Sequence, residues 1–149
     1  KKKLSFAKKL GFKTFLYDQK NLKQKIHRLT NGGSDYCIEA AGRTKTIEFA
    51  FSLINNNGKL FFASHPPDNE KIKIDPHELI KGKSIYGSWG GCHKNPDRDI
   101  KKIMSIFHNA NINLHHLISK EYKIEQINIA MREMKNSDVF RPVIKMEHS

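Results

Sequence analysis

The feature that most constrains the fold is an alternation of short apolar runs with segments of helical spacing, separated by glycine, asparagine or proline. Lys59-Leu60-Phe61-Phe62-Ala63-Ser64 is the strongest strand in the chain, and Pro66-Pro67 ends it. Asp35-Tyr36-Cys37-Ile38-Glu39-Ala40-Ala41-Gly42 reads as a strand running into a glycine turn. Ser84-Ile85-Tyr86-Gly87, Thr14-Phe15-Leu16-Tyr17 and Ile72-Lys73-Ile74 are shorter strand candidates. Helical spacing places Leu4, Ala7 and Leu10 on a helix closed by Gly11, and Leu22, Ile26 and Leu29 on one stopped by Asn31-Gly32-Gly33. Thr44 is placed as the cap of a helix carrying Ile47, Ala50, Phe51 and Ile54, which Asn55-Asn56-Asn57-Gly58 ends. Asp75-Pro76 opens a brief helix through Leu79-Ile80. Beyond Trp89-Gly90-Gly91 come two amphipathic helices. One carries Ile100, Ile103, Met104 and Phe107, with Asp97 and Asp99 suited to its N-terminal dipole; the other carries Ile124, Ile127, Ala130, Met131 and Met134. Val139 to Met146 reads as a closing strand interrupted by Pro142. Strands separated by helices need crossover connections, which argues for an α/β fold with a parallel sheet. The expected core joins the Ile38, Leu60 and Ile85 strands, flanked by helices over 44–54 and 97–109.

Composition removes several function classes. The 149 residues suffice for one ordinary domain or two small ones, with 38% apolar and 28% charged residues. No stretch approaches the roughly 18 consecutive apolar residues of a membrane-spanning helix, and mean hydropathy is −0.63. A membrane protein is not expected. Lys1 to Lys9 contains no apolar core of a secretory signal, and two cysteines are too few for a disulfide scaffold. A reduced, cytoplasmic setting is the expectation. The net charge of +12 raises nucleic acid as a partner. The cations are dispersed and mostly lysine, without a run of five or six or interleaved aromatics, so a lysine-rich surface is the favoured reading.

Motifs that carry chemistry are scarce. There is no GxSxG, HExxH, CxxC or GxxxxGK[ST]. His115 and His116 are adjacent and point to different sides, and Cys92-His93 has no third ligand at zinc-like spacing. No zinc site is expected within this chain. Cys37, in an apolar strand, reads as an inert buried thiol, and no acid–base partner can be named for Cys92.

Several weak signals fall in a telling order. Gly32-Gly33-Ser34-Asp35-Tyr36-Cys37-Ile38-Glu39-Ala40-Ala41-Gly42-Arg43 is followed by Gly58-Lys59-Leu60-Phe61-Phe62-Ala63-Ser64-His65-Pro66-Pro67, then Gly87-Ser88-Trp89-Gly90-Gly91, then Phe140-Arg141-Pro142-Val143-Ile144. In that order and at those intervals the chain resembles the C-terminal part of a zinc-dependent medium-chain alcohol dehydrogenase, from Leu4 to Ile144. The resemblance implies a partial Rossmann-like parallel sheet flanked by helices. The segments of Phe15, Ile38, Leu60 and Ile85 would be strands 3 to 6 of the order 3-2-1-4-5-6. Central strands 1 and 2, the GxGxxG turn and the ribose-binding acid have no counterpart in the sequence. Strand 3 would then lose its neighbour, and strand 4 would become a bare edge. Residues 1–89 would be the remainder of the dinucleotide-binding domain, and 90–149 the segment that in the family packs back onto the substrate domain. Lys1 would fall in the middle of a parental chain.

The resemblance also implies a cofactor, NAD or NADP, and a partial set of contacts to it. Ala40, Ala41, Gly42 and Arg43 match the segment beside the adenosine. Ala63, Ser64 and His65 match the segment under the nicotinamide, although His65 is polar where the family is usually apolar. Ser88 and Trp89 match backbone positions holding the carboxamide, and Arg141 matches a cationic contact to the pyrophosphate. The residues alone leave other readings open: a close-packed turn at 40–42, a packing role for Trp89, a surface cation at Arg141. Catalytic zinc ligands and the proton relay lie in the family's substrate domain, so no catalytic or metal residue is assigned. The implied function is a fragment or remnant of an NAD(P)-dependent alcohol dehydrogenase, inactive by itself and completed by an N-terminal portion or a partner chain. The alternative is a non-catalytic subunit or binding module, with self-association open and nucleic acid the least favoured partner.

Overall fold

The computed structural model describes residues 2–89, 94–136 and 138–146. In chain order the helices are α1 (Lys2–Lys9), α2 (Leu22–Leu29), α3 (Thr44–Leu53), α4 (Pro76–Ile80), α5 (Pro96–Asn109) and α6 (Ile127–Lys135). The strands are β1 (Ser34–Glu39), β2 (Ile54–Phe62), β3 (Ser84–Gly87), β4 (Lys120–Lys123) and β5 (Pro142–Lys145). The chain divides into two compact units, Phe15–Lys94 and Lys1–Thr14 with Asn95–Ser149.

The first unit is built on a parallel sheet of order β1-β2-β3. Cys37, Leu60 and Ile85 stand in one row, and Ile38, Phe61 and Tyr86 in the next. Strand side chains alternate between faces, so the two rows face opposite ways. The Leu60 row packs under α3, whose Ile47, Ala50 and Phe51 join Ile54 and Leu60 in the core. The other row is open: Ile38 is 76% exposed and Tyr36 67%, while the Phe61 and Tyr86 rings stack at 5.1 Å. Strand β1 lies at one edge of the sheet, where the expected bare edge falls.

Several local expectations are corrected. Thr14–Tyr17 forms no strand. The resemblance leaves it without a neighbour, and a strand alone satisfies none of its ladder groups. Ile72 and Ile74 pack against the core but form no strand, because the apolar contact is met without a ladder. Helix α3 ends at Leu53, and Ile54 already belongs to β2. Asn55 to Gly58 is therefore not a helix terminator but an irregularity inside the strand, where the register jumps from Ser34 opposite Ile54 to Tyr36 opposite Lys59. Thr44 does not cap α3: Arg43 does, its carbonyl accepting the amides of Thr46 and Ile47 at 3.0 and 3.1 Å.

Gly33 precedes β1 at φ +134°, and an added Cβ would lie 2.6 Å from the Asn55 amide nitrogen and 2.8 Å from the Ile54 carbonyl carbon. Those are backbone atoms of the irregular stretch of β2, so they cannot swing away. Gly33→Ala is expected to cost at least about 1–3 kcal/mol, read as an earlier midpoint in urea unfolding.

In the second unit β4 and β5 pair in parallel, and Tyr122, Ala130 and Val139 are buried. The Tyr122 hydroxyl donates to Glu133 at 2.6 Å, and the Lys120 ammonium meets the same carboxylate at 3.0 Å. Strand β5 occupies only 142–145 of the expected 139–146. Pro142 opens it rather than interrupting it, since the first strand residue can spare its N–H. Strand β4 went unread because Lys120-Glu121-Tyr122-Lys123 holds one apolar residue and shows no period. The α5 helix begins at Pro96, with the Asn95 side chain accepting the Arg98 amide at 3.0 Å. It lies in this second unit rather than in the unit of the three-stranded sheet.

Candidate functional site

Three parallel strands end on the same side, and in open α/β sheets ligands bind outside those carboxyl ends. Residues 40–43, 63–65 and 88–89 follow β1, β2 and β3 there. The ladder continues past the strands: the Ala63 amide donates to the Glu39 carbonyl at 3.1 Å, and the Ser88 amide to the Phe62 carbonyl at 2.9 Å. Gly42 turns at φ +74°, and a Cβ there would meet the His65 carbonyl oxygen at 3.2 Å. The first two segments thus lie against each other, close enough that a side chain at 42 would press on the His65 carbonyl. Ala40, Ala41, Arg43 and Ala63 are exposed, while the Ala41 and Ala63 amides already donate to Glu39.

A groove of about 280 Å³ lies between the ends of β2 and β3, lined by Phe62, Ser64, His65, Pro66, Gly87, Ser88 and Trp89. Trp89 is 72% exposed and meets the His65 ring edge-on at 4.4 Å. An exposed aromatic ring beside a small groove is a surface on which a flat heteroaromatic ligand can pack. Arg141 belongs to the second unit. Its amide donates to the Ser119 hydroxyl at 3.0 Å, its carbonyl accepts the Ser119 amide, and it lines a separate groove of about 430 Å³ with Leu114, Leu117 and Val143.

The sequence reading missed Glu39 as a site residue. Strand alternation puts it on the covered face with Cys37, and it is only 5% exposed. One carboxylate oxygen accepts the Ala41 amide at 2.7 Å, the Gly42 amide at 3.2 Å and the Thr46 hydroxyl at 2.7 Å; the other accepts the Ser64 hydroxyl. The signal was available: an acid closing an apolar strand on its buried side must find donors nearby. Burial pushes this carboxyl up, and the hydrogen bonds from Ser64, Thr46, Ala41 and Gly42 more than offset it, leaving Glu39 below the ordinary 4.5. A depressed carboxyl contributes stability above its unfolded value and loses it as pH falls through the folded one. Acidification below about pH 4.5 should therefore lower the urea midpoint less in Glu39→Gln than in wild type. Cys37 is half-buried, and burial, then the nearby Glu39 charge, pushes its thiol above 9.0, consistent with an unreactive thiol.

Among the described residues, no group of three or more His, Cys, Asp or Glu side chains could hold a metal ion. Cys92 and His93 lie outside the described residues. No helix among the described residues is long and apolar enough to cross a membrane.

A family model described as zinc-binding dehydrogenase matches residues 1–109. Alcohol dehydrogenase 1 of Petunia hybrida is 26% identical over 147 residues, which is 95% of this chain and 38% of the relative. Alcohol dehydrogenase-like 2 of Arabidopsis thaliana is 27% identical over 150 residues, 97% of this chain and 39% of the relative. The chain thus spans about two fifths of the length of these curated relatives. Among solved structures, benzyl alcohol dehydrogenase from Acinetobacter calcoaceticus superposes with a TM-score of 0.88 at 22% identity, covering 98% of this chain and 40% of that one. An alcohol dehydrogenase zinc-binding domain protein from Burkholderia ambifaria gives 0.88 at 22% identity, covering 99% and 40%. These two likenesses establish the Rossmann-like fold of the sheet and its helices.

Proposed function

This chain belongs to the zinc-binding dehydrogenase family, matched over residues 1–109, and we propose that the edge formed by 40–43, 63–65 and 88–89 is part of its nicotinamide dinucleotide wall. The observation that carries the reading is the convergence of those three segments at the carboxyl ends of parallel strands, with exposed residues in each and Trp89 exposed beside the groove. The Ala41, Gly42, Ala63 and Ser88 amides already donate within the chain, so the fit to the neutral parts of a dinucleotide is one of surface contact. Backbone groups at 40–43 would flank the adenosine. Ser64, His65, Ser88 and Trp89 would flank the nicotinamide ring and its carboxamide. Bound there, the nicotinamide would supply the hydride acceptor of an alcohol-oxidising reaction. The residues of this edge would bind and orient it.

The described residues do not suit zinc, for lack of a ligand set, so no zinc chemistry is assigned to them. On this reading the phosphate-binding glycine turn, the ribose acid and the substrate-side groups come from polypeptide outside these 149 residues, and the chain does not oxidise alcohols by itself. Saturation-transfer NMR with millimolar NAD⁺ tests the wall. The nicotinamide and adenine protons should both receive saturation, and Trp89→Ala should weaken the nicotinamide signals more than the adenine ones. Absence of transfer to either ring, or equal loss at both in a folded variant, would count against the reading.

A further inference from the structure

Glu39 stands where the first two segments of the edge meet. Three of its donors, the amides of Ala41 and Gly42 and the Thr46 hydroxyl, come from the turn and helix start that follow β1. The fourth, the Ser64 hydroxyl, comes from the segment that follows β2, 25 residues along the chain. The carboxylate is buried, and bonds to an ionised acceptor are stronger than neutral ones. Its two oxygens act on different segments, one holding the turn and the other reaching across to the neighbouring strand end. The Gly42 turn already lies against the His65 carbonyl, so little slack exists between them.

We propose that Glu39 is a positioning residue that clamps the 40–42 turn to the 63–65 segment, so that a ligand group seated on either is felt at the other. The proposal rests on the reading of this edge as a cofactor wall, with the adenosine side on the turn and the nicotinamide side on the second segment. Its consequence is pre-organisation. The two halves of the dinucleotide would meet segments held at a fixed spacing by a buried anion, and ordering one segment would reduce what the other must still lose on binding.

The clamp separates into parts that can be tested one at a time. Ser64→Ala removes the bond across to the second segment and leaves the three bonds to the turn and α3. Ser64→Thr restores a hydroxyl. Half-ligands address the two sides separately: AMP for the turn and nicotinamide mononucleotide for the second segment. Amide shifts of the uniformly labelled 149-residue chain are read at millimolar half-ligand, and retained signal dispersion identifies variants that fold. In wild type each half-ligand should move the amides of both segments. In Ser64→Ala, AMP should move the turn amides only, with its cross-segment shifts at 63–65 lost, and Ser64→Thr should recover them. Loss of stability without loss of the cross-segment shifts would reduce Glu39 to a structural acid and overturn the clamp. Own-segment shifts without cross-segment shifts in wild type would also overturn it, while leaving the wall intact. If neither half-ligand moves either segment, the wall itself falls, and the clamp with it.

Discussion

Leu60→Ala is expected to destabilise the first unit by about 2–5 kcal/mol. Leu60 is fully buried and central, in the middle strand of the three, between Cys37 and Ile85 and under Ile47, Ala50, Phe51 and Ile54. Removing its side-chain branch leaves a cavity that regular strands on both sides and a helix above cannot collapse to fill. The reserve is small, because the sheet buries one face under α3 while Ile38 and Tyr36 stand open on the other, and domains retain only about 5–15 kcal/mol in total. Far-ultraviolet circular dichroism along a urea series reads the loss. Ile38→Ala, one row away and 76% exposed, should shift the midpoint by no more than about 0.5 kcal/mol. Equal losses at the two positions would contradict the assignment of the faces.

What could be read from the sequence was whatever local chemistry settles. Lys59 to Ser64 announces a strand by its apolar run and its proline stop, and β2 includes that run as far as Phe62. Ser84–Gly87 is found at its observed bounds, and Ile47, Ala50 and Phe51 at their helical spacing give the packed face of α3. The misses depend on partners that only the fold supplies. Thr14–Tyr17 has strand composition but no strand to pair with, and β4 has a partner but no strand composition. Asn55 to Gly58 carries every mark of a helix stop, yet the strand has already begun at Ile54. The position of 40–43, 63–65 and 88–89 at strand ends was legible from ordered motifs, because glycines and prolines mark where strands stop. Glu39 was not, because its importance lies in four donors of which one comes from a distant segment. Arg141 matched by motif order, a criterion that carries no spatial information, and it falls in the second compact unit.

The second large effect concerns the cofactor. By itself the 149-residue chain should bind NAD⁺ or NADP⁺ only on the order of millimolar or more weakly. The glycine-rich turn that offers backbone donors and a helix dipole to the pyrophosphate has no counterpart in the sequence, nor has the acid that grips the ribose. Losing two or three charged or bidentate contacts, at about 1.5–3 kcal/mol each, removes about 3–9 kcal/mol, against the roughly 4 kcal/mol that separates a micromolar from a millimolar site. One arginine cannot offset that deficit. With alcohols present, no reduction of the cofactor is expected. Calorimetric titration of the chain with each cofactor, with Arg141→Ala alongside, measures this directly. The expected result is a shallow isotherm without saturation below about a millimolar, changed little by the substitution; a micromolar dissociation constant that Arg141→Ala abolishes would contradict it.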